Sequence, residues 1–158
     1  MKTVLCDINF FLDIFLKREP FYTASARLFK KIEEKELKGY VCALSFPTLF
    51  YLLSKELRRD RAMKTLEKIR IIFRVAPVDE KVVDLSLVSS FKDFEDAVQY
   101  YSALQVKADC VITRNKADYT EKTISVLTPE EFLSTLEMYR LILFAILVPS
   151  WFIVVKYR

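Results

Sequence analysis

Val4-Leu5-Cys6-Asp7-Ile8-Asn9-Phe10-Phe11-Leu12-Asp13-Ile14-Phe15 decides how the rest of the chain is read. Val4 to Cys6 is a short apolar run that stops at a carboxylate. Beyond it the rhythm changes, because Phe10, Phe11, Ile14 and Phe15 recur at the spacing of one helix face. Strand, carboxylate, helix is the opening of a βαβ unit, and the alternation continues downstream.

A second helix follows Pro20, with Phe21, Ala24, Leu28, Phe29 and Ile32 on its apolar face. Gly39, the sequence's only glycine, is expected to end it, and Tyr40 to Leu44 reads as the second strand. Ser45 is expected to cap a helix through Leu57 with Pro47 in its first turn, and another helix should span Arg61 to Phe73. A short strand is expected near Val75. Asp79 should start a helix to about Val88. Asp93 should start one to about Lys107, with Phe94, Ala97, Tyr101 and Leu104 on one face. Asp109 to Thr113 and Ile124 to Leu127 read as the last strands. Thr128-Pro129-Glu130-Glu131 has the cap, the N1 proline and the N3 glutamate of a helix start. The pattern predicts an α/β domain of three layers, helix, sheet, helix, around a mostly parallel sheet of four or five strands.

Composition narrows the chemistry. The 158 residues suit one domain, and 53% hydrophobic against 29% charged residues suits a packed core rather than disorder. There is no histidine, so imidazole catalysis and His-ligated zinc are excluded and carboxylates remain as the catalytic groups. Cys6, Cys42 and Cys110 each lie in an apolar run without Cys-x-x-Cys spacing, so buried thiols and a reducing cytoplasm are expected. Met1 to Cys6 is too short for a secretory leader, and Asp7 interrupts it.

Asp7, the Asp93/Glu95/Asp96 group and Asp118 each follow a strand or open a helix. Taken singly, such an aspartate is more often a helix cap than a ligand. Parallel strands bring their carboxyl ends to one edge, however, so Asp7, Asp96 and Asp118 are expected to share a cleft. Carboxylates so placed repel unless a hard cation neutralises them, and oxygen-rich sites of this kind suit Mg²⁺.

Leu5-Cys6-Asp7-Ile8-Asn9-Phe10-Phe11-Leu12-Asp13 resembles the opening Asp-Thr-Asn-hydrophobic-Leu-hydrophobic-Asp signature of PIN domains, including VapC-type toxins. Asp93-Phe94-Glu95-Asp96-Ala97 resembles the family's Asp-Phe-Glu-Asp-Ala helix start. Thr113-Arg114-Asn115-Lys116-Ala117-Asp118-Tyr119 resembles its Thr-Arg-Asn-x-x-Asp-Phe segment. Val126 to Leu133 is similar to its closing strand and helix. The match runs over residues 2 to 137 and leaves 138 to 158 as a tail outside it. The resemblance implies a Mg²⁺- or Mn²⁺-dependent endoribonuclease with Asp7, Asp96 and Asp118 holding the metal, and with Asn9, Thr113 and Asn115 orienting the site. It also implies a homodimer and, for a toxin, an antitoxin protein that occludes the cleft.

One departure stands out. Many PIN domains carry a glutamate on the third helix, where Thr48 stands here, and the next acid, Glu56, lies about 12 Å further along the helix. The alternative reading is therefore a PIN-like RNA-binding module with weakened catalysis. Lys55 to Arg74 carries eight basic residues against three acids, against a net charge of +4 for the whole chain. Lys55, Arg58, Arg59, Arg61 and Lys64 of that stretch are the expected RNA contacts. Leu141 to Val155 is an apolar run broken by Pro149 and Ser150. As a helix it spans about 22 Å, short of the ~30 Å bilayer core, so a tail packed on the domain or a dimer partner is expected rather than a membrane span.

Overall fold

The computed structural model describes residues 1–147. Five strands, β1 (Thr3–Cys6), β2 (Lys38–Cys42), β3 (Arg74–Ala76), β4 (Cys110–Ile112) and β5 (Ser125–Leu127), form one sheet in the order β3-β2-β1-β4-β5, and every pairing is parallel. The helices are α1 (Ile8–Phe15), α2 (Tyr22–Glu33), α3 (Ser45–Glu56), α4 (Arg59–Ile72), α5 (Glu80–Leu87), α6 (Phe94–Gln105) and α7 (Pro129–Leu147). A short 3₁₀ turn covers Lys116–Asp118.

Strand alternation sorts the core into two layers. Val4, Cys6, Val41, Cys110 and Ile112 face one side, where α1, α2, α3, α4 and α7 close over them. Leu5, Cys42, Ala76 and Val111 face the other, under α5 and α6. The three-layer α/β/α expectation holds. On the first side four phenylalanines interlock: Phe11 lies edge to face 5.0 Å from Phe73 and 5.2 Å from Phe10, and Phe29 lies tilted 5.5 Å from Phe73. Each ring so buried contributes about 1.5–3 kcal/mol by removal from water. The three cysteines are buried and free, as expected.

Two local expectations fail. Gly39 does not end α2; it lies inside β2, and α2 ends instead at a left-handed Lys35 with φ 61°. The glycine is required by packing, because a Cβ there would meet Ile32 Cγ2 at 2.6 Å and the Phe73 ring at 2.7 Å. Ser45 does not cap α3. The helix already includes it, Leu44 occupies the cap position without a side-chain bond, and the Ser45 hydroxyl is buried without a partner. On α6, Ala97 and Tyr101 are buried as expected, whereas Phe94 is 49% exposed. The Thr128 start of α7 is as read: Glu131 N donates to Thr128 Oγ1 at 3.2 Å and Thr128 N to Glu131 Oε2 at 2.9 Å.

Helix α7 continues past residue 137, and its Leu141, Leu143, Phe144 and Ile146 are exposed rather than packed on the domain. No described helix is long and apolar enough to cross a membrane. The rest of the apolar run, 148 to 155, lies outside the described residues.

Candidate active site

The chain leaves β1 toward β2 on one side, and β4 adds on the other, so the strand order reverses between β1 and β4. The carboxyl ends of these two strands therefore border a crevice that no crossover covers. Asp7 is the first residue beyond β1 and Thr113 the first beyond β4. Asp7 N donates to Ile112 O at 3.0 Å, which ties the two strand ends together. The Thr113 hydroxyl donates to Asp7 Oδ2, Asn9 N donates to Asp7 Oδ1, and Asn115 N donates to Thr113 Oγ1 at 3.0 Å. Asp7 thus caps α1 and also stands at the floor of the crevice, 3% exposed.

Three acids open α6, and the structure divides their work. Asp93 is the cap, accepting from Glu95 N at 2.7 Å and Asp96 N at 3.3 Å. Glu95 and Asp96 are left free of that task and line a cleft of about 350 Å³ together with Asp7 and Asp118. Asn9, Thr48 and Asn115 also line it, and Thr113 stands behind Asp7. The expected acidic and orienting residues are therefore neighbours in space. Sequence reasoning gave no role to Gln99, which lies one turn after Asp96 on α6 and lines the same cleft. Its i+3 spacing from Asp96 was the available signal.

Among the described residues no lysine or arginine lines the cleft, so the carboxylates act on each other without a neighbouring cation. Burial, then Asp93, Asp7, Asp118 and Glu95, push Asp96 up to about 7. Burial also raises Asp7 to about 6, against the hydrogen bonds from Thr113 and Asn9. Glu95 is raised by burial and by Asp93, while the Thr48 hydroxyl works in the opposite direction. A hard cation reverses this balance by favouring the ionised forms. The donor set fits Mg²⁺ or Mn²⁺, being entirely oxygen. Among the described residues no three His, Cys, Asp or Glu side chains converge on one point as a closed ligand cage. The open spacing suits a cation that keeps much of its water.

A second layer holds the rim. Arg114 donates to Asp13 Oδ1 at 2.8 Å and to Asn9 Oδ1 at 3.2 Å, and its guanidinium lies 4.8 Å from the centre of the Phe21 ring. Asp13 is 2% exposed and the Arg114 side chain 25%, so this pair is a strut between α1 and the segment after β4 with its carboxylate end buried. Both residues sit inside the motifs quoted above, yet the 101-residue gap between them hid the contact.

The basic stretch occupies the end of α3 and the length of α4. Thr48 and Leu52 line the cleft from α3, and Lys55 continues the same helix with its ammonium 4.0 Å from the centre of the Tyr51 ring. Arg58 and Arg59 border a wider, shallower hollow with Asp60 and Met63. Lys55, Arg58, Arg59, Arg61 and Lys64 are all exposed, and none lines the carboxylate cleft.

The chain is similar in sequence and fold to known proteins. Ribonuclease VapC1 of Aquifex aeolicus (strain VF5) is 25% identical over 136 residues, spanning 83% of this chain and 93% of that protein. The fold of VapBC2 from Rickettsia felis, solved bound to a DNA fragment from its promoter, superposes with a TM-score of 0.61 at 13% identity, over 80% of this chain and 98% of the other. VapC20 of Mycobacterium tuberculosis, described as a sarcin-ricin loop cleaving toxin, superposes with a TM-score of 0.57 at 15% identity, over 68% and 86%. The PIN domain family matches residues 3–117, most of the chain and the whole of the β1-to-β4 frame that builds the cleft, and the chain belongs to that family.

Proposed function

We propose that the chain is a Mg²⁺- or Mn²⁺-dependent endoribonuclease that hydrolyses RNA phosphodiester bonds at the β1/β4 cleft. The observation that carries this reading is the group of carboxylates at the strand-order reversal with no basic side chain among them. The metal, when bound, lowers the pKa of a water and offsets charge on the pentacovalent phosphorus. Asp7, Asp96 and Asp118 hold it. Thr113 and the Asn9 amide fix the Asp7 carboxyl, while Arg114 fixes the Asn9 side chain at the rim. Asn115 is anchored through Thr113 and faces the same space. Lys55, Arg58, Arg59, Arg61 and Lys64 supply positive charge along α3 and α4 for the RNA backbone.

The similarity to a protein named a ribonuclease, and to chains of solved VapBC and toxin-antitoxin complexes, supports a toxin held in check by an antitoxin protein; a homodimer is the accompanying expectation from the family resemblance. Three free, buried cysteines support a reducing, cytoplasmic setting. Thr48, in place of the third-helix glutamate of many relatives, favours the second reading, an RNA-binding module with weakened catalysis. The test is cleavage of a labelled structured RNA with Mn²⁺, Mg²⁺ or EDTA, comparing the protein with Asp7→Asn/Asp96→Asn. Metal-dependent cutting that the double variant loses supports the nuclease. Equal inactivity of both proteins with retained RNA binding replaces it with the binding module.

A further inference from the structure

α6 brings more oxygen to the cleft than its capping aspartate and Asp96 account for. Glu95 Oε1 is buried and accepts no hydrogen bond. Gln99, one turn on, is only 3% exposed, lines the same cleft, and leaves its Oε1 equally without a donor. Buried acceptors are normally satisfied, so two of them on one helix face, i and i+4, mark a place where a donor or a cation belongs. Among the described residues no lysine or arginine lines the cleft to fill that role.

Thr48 reaches the cleft from α3 and lines it together with Glu95. Replacing a glutamate by threonine at this point removes a charge and several atoms of reach. The freed volume is bordered by a glutamate arriving from another helix.

We propose that Glu95 supplies from α6 the carboxylate that α3 lacks, with Gln99 Oε1 adding a neutral oxygen toward the same cation. This rests on the reading of the cleft as a divalent-metal site. Asp7, Glu95, Asp96 and Asp118 then give four carboxylates around the cleft although α3 contributes none.

The test is Mn²⁺ binding to the full chain by calorimetry, with Mn²⁺-induced rise in melting temperature as a second readout. The proteins compared are the unaltered chain, Glu95→Gln, Thr48→Glu/Glu95→Gln and Asp7→Asn/Asp96→Asn, each first shown to melt cooperatively in EDTA. Glu95→Gln should weaken Mn²⁺ by about tenfold or more. Thr48→Glu/Glu95→Gln should recover most of that loss, because the acid returns to the same volume from α3. Gln99→Leu, which removes only a neutral oxygen, should weaken binding less than Glu95→Gln. If Glu95→Gln binds Mn²⁺ like the unaltered chain while Asp7→Asn/Asp96→Asn does not, the assignment of Glu95 is wrong and the metal cleft stands. If the unaltered chain and Asp7→Asn/Asp96→Asn are equally indifferent to Mn²⁺, the metal reading fails and the assignment with it.

Discussion

Arg114→Met removes the guanidinium from the strut while keeping an apolar stem over Phe21. Asp13 is then left 2% exposed without its ion-pair partner. Breaking a buried pair by deleting one member costs about 3–5 kcal/mol. The loss has a ceiling, because the carboxyl can protonate instead of staying charged and unpaired. Arg18 also acts on Asp13 and softens the change, whereas Glu130 works against it. A loss of about 3 kcal/mol at pH 7 follows, equivalent to a melting temperature lower by about 6–12 °C for a chain of this size. Asp13→Asn/Arg114→Met should recover to within about 1.5 kcal/mol, since neither charge is then buried unpaired. Burial already raises the Asp13 pKa, and losing Arg114 raises it further. A raised folded-state pKa gives stability that is present at low pH and lost as pH rises through that value, so the cost of Arg114→Met should shrink between pH 7 and pH 5. Urea unfolding of the three variants at both pH values measures this. A loss under about 1 kcal/mol at pH 7, or one that does not change with pH, refutes the strut.

Two further outcomes follow from the same structure. Gly39→Ala should cost about 1–3 kcal/mol by overpacking against Ile32 and Phe73, with no contribution from backbone strain because Gly39 has no positive φ; a urea midpoint equal to that of the unaltered chain contradicts this. In EDTA the chain should melt at a higher temperature at pH 6 than at pH 8, because Asp96, held at about 7, is disfavoured in its charged form and is relieved as it protonates. Asp96→Asn should raise the melting temperature at pH 8 and flatten that dependence, and parallel curves for the two proteins would refute the mutual repulsion in the cleft.

The strands and most helices were legible because their signals are local: apolar runs of three to five residues, a helical rhythm, the Thr128 capping box. Asp7, Asp96 and Asp118 were legible because parallel topology places strand ends together, which order along the chain is enough to predict. What stayed hidden depends on distant partners. Gly39 carries the composition of a helix stop, yet its reason is Phe73, which reaches it across the sheet, and the actual stop is a lysine that no propensity selects. Ser45 looks like a cap, but helix α3 begins a residue earlier and buries it. Among Asp93, Glu95 and Asp96, sequence could not say which acid caps α6 and which face the cleft, since that depends on where β1 and β4 end.

The long span between Asp7 and Thr113 bears on when the cleft comes into being. Asp7 is made well before its partners, since the hydroxyl that fixes it and the strand that anchors its amide come 106 and 105 positions later. β1, at the centre of the sheet, has β2 on one flank early and β4 on the other only later. Contacts this distant form slowly and late. During synthesis the amino-terminal portion can gather α1 to α4 around β1 and β2, but with no β4 beside it, and Asp7 has no Thr113 to orient it. A nascent chain that has not yet delivered β4 therefore has Asp7 and none of the geometry that makes it part of a site, so assembly of the cleft waits for β4.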